Sequence, residues 1–129
     1  MQNQDSRQYP LATYVEVALA DLPTGVAVAV TEVPGGATVI GGYFIVDTAS
    51  DAATSDVIDI GDATDPDRYT ASQINAKTAG ATALDVTGFK YTATDDILVT
   101  RTETGAATVF AGRLVLEYVI DDRTNENQG

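Results

Sequence analysis

The sequence predicts an all-β protein, an antiparallel sandwich or barrel of about eight short strands. Three observations carry that prediction. Apolar residues between the two ends of the chain recur with period two, the signature of half-buried strands. Turn signals built on Gly, Pro and Asp fall about every ten residues. Thr and Val are abundant, which suits strands, whereas Leu, Lys and Glu are too few for long helices. A length of 129 residues bounds the chain to one domain. Its 44% hydrophobic content separates it from disordered sequences.

Residues 1–10 read as a polar N-terminal arm, in which Gln2, Asn3, Gln4 and Gln8 offer nothing to bury and Pro10 ends the segment. A single sandwich domain, residues 11–120, follows. Residues 121–129 form a polar C-terminal tail. Both arms are expected to fray, or to become ordered on a partner. The first strand runs from Tyr14, with Val15, Val17 and Leu19 on one face. Asp21-Leu22-Pro23-Thr24-Gly25 turns the chain into Val26–Thr31, whose three valines share a face. After Pro34-Gly35-Gly36 comes Val39–Val46, apolar on both faces. Its Gly41-Gly42 pair predicts a bulge or a close backbone approach. Val57–Ile60 is a short strand ended by Gly61-Asp62. Tyr69–Ile74 fits either a helical turn or an irregular strand. Phe89–Ala93 and Ile97–Thr102 read as strands, with Glu103-Thr104-Gly105 turning the second. The last strand places Leu114, Leu116, Tyr118 and Ile120 on one face. Val115 and Val119 flank Glu117 on the other, so either a partner covers that face or the strand is central.

Charge and missing residue types close off most chemistry. There are 19 Asp and Glu against 7 Lys and Arg, a formal charge of −12. Phosphate backbones need clustered cations, which argues against nucleic acid as a direct ligand. Anionic membrane surfaces are disfavoured for the same reason. Without Cys there is no disulfide, zinc–thiolate site or thiol nucleophile. The lack of His removes the Ser-His-Asp triad and the usual general base near neutrality. No Trp is present to build a stacking platform, and the six tyrosines are spread singly. No apolar run approaches the ~20 residues that span a bilayer, and residues 1–8 carry no signal-peptide apolar region. The chain is expected to be made in the cytoplasm, to need no cofactor and not to be an enzyme.

Seven aspartates lie between Asp47 and Asp67, with no Lys or Arg among them: Asp47, Asp51, Asp56, Asp59, Asp62, Asp65 and Asp67. Oxygen-rich loops can bind calcium, but this spacing is not that of an EF-hand. Turn and solubility chemistry is the simpler expectation, with Asp62 and Asp65 accepting backbone bonds and Arg68 pairing with Asp65 or Asp67. The adjacent pairs Asp95-Asp96 and Asp121-Asp122 are poor glycosidase carboxylates. Strand neighbours point to opposite faces, and no apolar pocket is predicted to raise a pKa. No glycine-rich loop matches a phosphate-binding pattern.

Several blocks taken in order carry a resemblance. They are Gly41-Gly42-Tyr43-Phe44-Ile45-Val46, Asp56-Val57-Ile58-Asp59-Ile60-Gly61-Asp62, Asp67-Arg68-Tyr69, Lys77-Thr78-Ala79-Gly80, Thr104-Gly105-Ala106-Ala107 and Leu116-Glu117-Tyr118-Val119-Ile120-Asp121-Asp122-Arg123. Over residues 38–129 the chain resembles the small virion structural proteins of tailed bacteriophages, of the head decoration or cement type. That resemblance implies a jelly-roll-like β-sandwich on the outer surface of the assembled phage head. It further implies homo-oligomers, dimers or trimers, that bridge neighbouring subunits of the major capsid protein, and it transfers no catalytic residue. A charge of −12 would keep monomers apart before assembly, and an oligomer touching several subunits gains avidity. Arg7, Tyr9 and Arg123, in the two arms, are the candidate capsid or oligomer contacts, since Arg and Tyr are enriched at interface hot spots. The alternatives are another virion part, such as a tail-tube, head-fibre or receptor-binding module, and a carbohydrate- or calcium-binding sandwich domain.

Overall fold

The structure is a computed structural model that describes residues 7–121. Eight strands follow one another: β1 (Leu11–Ala18), β2 (Ala27–Val33), β3 (Ala37–Thr48), β4 (Ser55–Gly61), β5 (Ile74–Asn75), β6 (Gly80–Ala83), β7 (Asp95–Thr104) and β8 (Ala111–Ile120). A single 3-10 turn, Leu19–Asp21, follows β1. One sheet has the order β1-β8-β3-β6 and the other β2-β7-β4-β5, and every pairing is antiparallel. The first strand pairs with the last, the second with the seventh, the third with the sixth and the fourth with the fifth. A long antiparallel ribbon folded over on itself gives that pattern, which is the jelly roll.

The pleat sends alternate residues inward. Val39, Phe44, Val46, Leu114 and Leu116 from one sheet meet Val33, Ile58, Ile60, Ile97 and Val99 from the other, all buried. Phe110 stacks on Phe44 with ring centroids 6.4 Å apart. Each such side chain contributes roughly 1.5–3 kcal/mol on burial. Val15, Val17 and Leu19 line the same core as the alternation predicts. The valines of β2 divide, because Val28 and Val30 pack inward whereas Val26 precedes the strand and stays exposed.

Gly42 shows why the glycine pair stands in β3. Its φ is +143°, and a Cβ there would lie 2.2 Å from the Val115 carbonyl oxygen of β8. The register with β8 slips between Val39 and Gly41, so the pair marks both a bulge and a close approach.

Two strand assignments differ from the sequence reading. Phe89–Ala93 is not a strand: Lys90 makes one isolated bridge to Thr38, and Tyr91 exchanges backbone bonds with Gly36 and Ala37. Its β-forming composition serves side-chain contacts instead. β6 is the strand the pattern missed, since Gly80-Ala81-Thr82-Ala83 has no apolar alternation and is exposed throughout. Only its backbone pairing with β3 makes it a strand. Tyr69–Ile74 resolves into turns that lead to the two-residue β5. Gln8 also departs from expectation. Its side-chain amide donates to the Ile120 carbonyl at 2.5 Å and accepts from the Ile120 amide at 2.9 Å, taking the place of a strand residue beside β8.

A buried ion pair ties together the end of the sandwich where β1 turns into β2. Arg101 of β7 is 2% exposed. Its Nε donates to the Leu22 carbonyl at 3.0 Å and its Nη1 to Asp56 Oδ2 at 2.7 Å and Glu103 Oε2 at 3.1 Å. Ser50 Oγ donates to the same Asp56 oxygen at 2.6 Å, and the Ala107 amide donates to Glu103. Asp56 Oδ1 has no hydrogen-bond partner among the described residues.

Removing one member of a buried pair strands the other charge. Asp56→Ala is expected to cost about 3–5 kcal/mol in urea unfolding, and the double change Asp56→Leu with Arg101→Met clearly less. Equal losses in the two variants would show that the pair is not the cause. Gly42→Ala is expected to cost about 2–4 kcal/mol by strain and overpacking, and a variant as stable as the parent would refute the close approach.

Candidate interaction surface

The outward face of the β1-β8-β3-β6 sheet is built by register. Tyr14, Val115, Tyr43 and Ala83 stand in one row across the four strands. Glu16, Arg113, Ile45 and Ala81 form the next row, and Ala12, Glu117 and Gly41 the row on the other side. Tyr14 is 55% and Tyr43 49% exposed, and Ile40, at the bulge, is exposed beside them. One strand separates the two tyrosines, a distance of roughly 10 Å between backbones. The β6 end of the face carries only small side chains, so it forms a flat shelf.

A polar chain fixes one side of this face. Arg113 makes a forked ion pair with Asp47, Nε to Oδ2 at 2.8 Å and Nη2 to Oδ1 at 2.9 Å. The Tyr14 hydroxyl donates to Glu16 Oε1 at 2.8 Å. The Glu16 hydrogen bond, with burial second, holds the Tyr14 hydroxyl above its ordinary pKa, so it remains a donor. Asp47 likewise raises the Arg113 guanidinium. Glu16, Asp21, Asp47 and Arg113 line an open pocket of about 410 Å³ where this sheet meets the β1–β2 turn. The outer face of the other sheet differs: its four strands contain no aromatic residue.

Both ends of the described chain leave from one end of the sandwich, because Leu11 pairs with Tyr118 and Ala37 with Ile120. Lys90 bridges to Asp121 at 2.5 Å there. Of the predicted contact residues, Arg7 and Tyr9 lie in the segment before β1 and are exposed, Tyr9 by 73%. Arg123 lies outside the described residues.

The seven aspartates do not converge. Asp47 pairs with Arg113, Asp56 with Arg101, and Asp59 accepts from Gln73. Asp51 caps the loop before β8, accepting from the Thr108 hydroxyl and from the Thr108 and Val109 amides, and these bonds lower its pKa to about 2. Among the described residues no three His, Cys, Asp or Glu side chains are grouped to hold a metal ion. Arg68 pairs chiefly with Asp62, Nε to Oδ2 at 2.6 Å, and reaches Asp65 only at 4.0 Å. It does so because Asp62 is already fixed by the Thr64 and Asp65 amides, as expected of a turn residue.

Asp62 also anchors two buried tyrosines. Tyr91 donates to Asp62 Oδ2 at 2.8 Å, and the Tyr69 and Tyr91 hydroxyls lie 2.6 Å apart. Burial first, then Tyr69 and Asp62, push the Tyr91 pKa far up, so its proton stays and points at Asp62. Tyr69 must then donate to Tyr91. The Arg68 guanidinium lies 3.6 Å from the Phe89 ring centre, and Phe89 packs edge-on against Tyr91. Burial works to raise the Asp62 carboxyl, but Arg68, the Asp65 amide and Tyr91 outweigh it and hold it low.

A carboxyl held low in the folded state stabilises the fold fully above its unfolded value, ~4. That contribution is lost as pH falls through the folded value. The melting temperature is therefore expected to hold from neutral pH to about 5 and to fall below about 4 as Asp62, held low, and Asp51, held at about 2, protonate. Asp62→Asn is expected to lower it at neutral pH and to flatten that acid slope in calorimetry. An unchanged slope would contradict the assignment.

No protein-family model matches the chain, and no curated protein matches it in sequence. Solved structures do. A chain in the capsid asymmetric unit of cyanophage Pam1 superposes with a TM-score of 0.68 at 22% identity, covering 93% of this chain and 91% of that one. A chain in the capsid of Ralstonia phage GP4 gives 0.71 at 16% identity, covering 92% and 89%. A chain in the acid-stable capsid of Helicobacter pylori bacteriophage KHP30 gives 0.68 at 12% identity, covering 89% and 90%. The protein thus has the fold of chains found in phage capsids, matched across nearly its whole length.

Proposed function

We propose that this protein is a virion structural protein that decorates the outer surface of an assembled phage head, binding the major capsid protein and bridging neighbouring subunits as a dimer or trimer. The observation that carries this reading is the end-to-end match to chains of three phage capsids, with about 90% coverage in both directions. All three neighbours come from capsids, which favours a head position over a tail or fibre. Arg7 and Tyr9 precede β1 and Arg123 follows β8 in the sequence, and these three residues add to the contact with the shell. The charge of −12 keeps subunits apart before assembly and gives nucleic acid and anionic membranes little to hold. No catalytic step enters this function. The shell gains stability by mass action, since a protein that binds only the assembled lattice stabilises it by RT ln(1 + [L]/Kd).

Heads assembled without the protein are expected to bind it when it is added back, in a copy number that scales with the capsid lattice, and to disrupt at a higher temperature. Few copies per particle, or heads equally resistant to heat without it, would reject decoration. Removing residues 1–7, just short of Gln8, is expected to weaken head binding and leave the melting temperature of the isolated protein unchanged.

A further inference from the structure

We propose that the outward face of the β1-β8-β3 sheet, centred on Tyr14 and Tyr43, is the surface that seats the protein on its shell, and that the shell meets it with a basic, arginine-bearing protein patch. This deepens the decoration reading and rests on it.

Composition and charge together select the surface and its occupant. Of the two outer sheet faces, only this one carries aromatic side chains, and both tyrosines are half exposed. Tyr is among the residues that dominate interface energetics. Val115 stands between the two tyrosines in their row, Ile45 stands in the next row, and the small residues of β6 allow close approach. The face is preorganised, because Glu16 holds the Tyr14 hydroxyl and Asp47 holds Arg113.

Glu16 and Glu117 lie on either side of the tyrosine row, and the charge of Arg113 is already matched by Asp47. The face is therefore apolar at its centre and acidic at its rim. Its complement is a cationic surface, and guanidinium groups also stack on tyrosine rings. A second copy is a poor occupant. Laid face to face, it would bring two net-acidic faces together in a protein that already carries −12.

The test measures binding to heads that lack the protein, with three variants beside the parent: Tyr14→Ser with Tyr43→Ser, Glu117→Lys, and Glu32→Lys. Glu32 is exposed on β2 in the opposite sheet and makes the same charge change away from the proposed face. The tyrosine and Glu117 variants are expected to bind roughly tenfold or more weakly. Glu32→Lys is expected to bind as the parent does, all three should keep the parent's melting temperature within a few degrees, and parental binding should weaken as salt rises. Full binding by both face variants overturns the proposal, as does an equal loss with Glu32→Lys. A changed sedimentation mass in the face variants overturns it in favour of a second copy. Failure of the parent itself to bind heads removes the decoration reading, an outcome distinct from the other three.

Discussion

One guanidinium, that of Arg101, closes the end of the sandwich where three loops meet. Two sheets pressed together make a good core between them but leave open ends, where loop backbones must find partners out of water. The chain has no cysteine for a disulfide, and the described residues include no long helix to cover such an end. Arg101 reaches the β1–β2 turn through Leu22, β4 through Asp56 and the β7–β8 connection through Glu103 and Ala107. A flexible lysine could offer charge there, but not a planar fork that serves a carbonyl and two carboxylates together. The arrangement joins segments far apart in sequence through one side chain.

The opposite end uses a different device with the same logic. Two tyrosines pass a directed line of hydrogen bonds to Asp62, and Arg68 lies between that carboxylate and the Phe89 ring. Most of the acidic side chains in the long loops are occupied in this way by amides, hydroxyls or guanidinium groups. The surplus charge is thus both local glue and a source of long-range repulsion between molecules. Two polar closures hold the loops, which leaves the sheet faces at liberty to differ. One is threonine- and alanine-rich, and the other carries tyrosines in register.

The strands with strong alternation are legible in the order of residues alone. Val15, Val17 and Leu19, and Leu114 with Leu116, declare their inward face because a half-buried strand tolerates no other spacing. β6 was hidden because backbone pairing, which leaves no mark on side-chain type, is all that makes it a strand. Phe89–Ala93 misled for the opposite reason: residues favoured in strands were chosen there for a ring under Arg68 and a hydroxyl on Asp62. The aspartates between Asp47 and Asp67 look like one group, and only the fold reveals that they divide among Arg68, Arg101, Arg113 and loop amides. The Tyr14–Val115–Tyr43 row joins residues some seventy to a hundred positions apart, so its sole advance sign was that the outer side of the last strand is not polar.

Gln8 gives the molecule a mechanical property. Its amide occupies the site of a missing peptide unit beside Ile120, the final residue of a strand bonded on both flanks. A pull on the chain ahead of Gln8 is consequently felt by β8 as well as β1, because the two amide bonds to Ile120 stand before the first β1–β8 ladder pair, Leu11 with Tyr118. A tether rooted in this manner transmits a pull from its anchoring point into the middle of the sheet, as a rivet passes load from a strap to a plate.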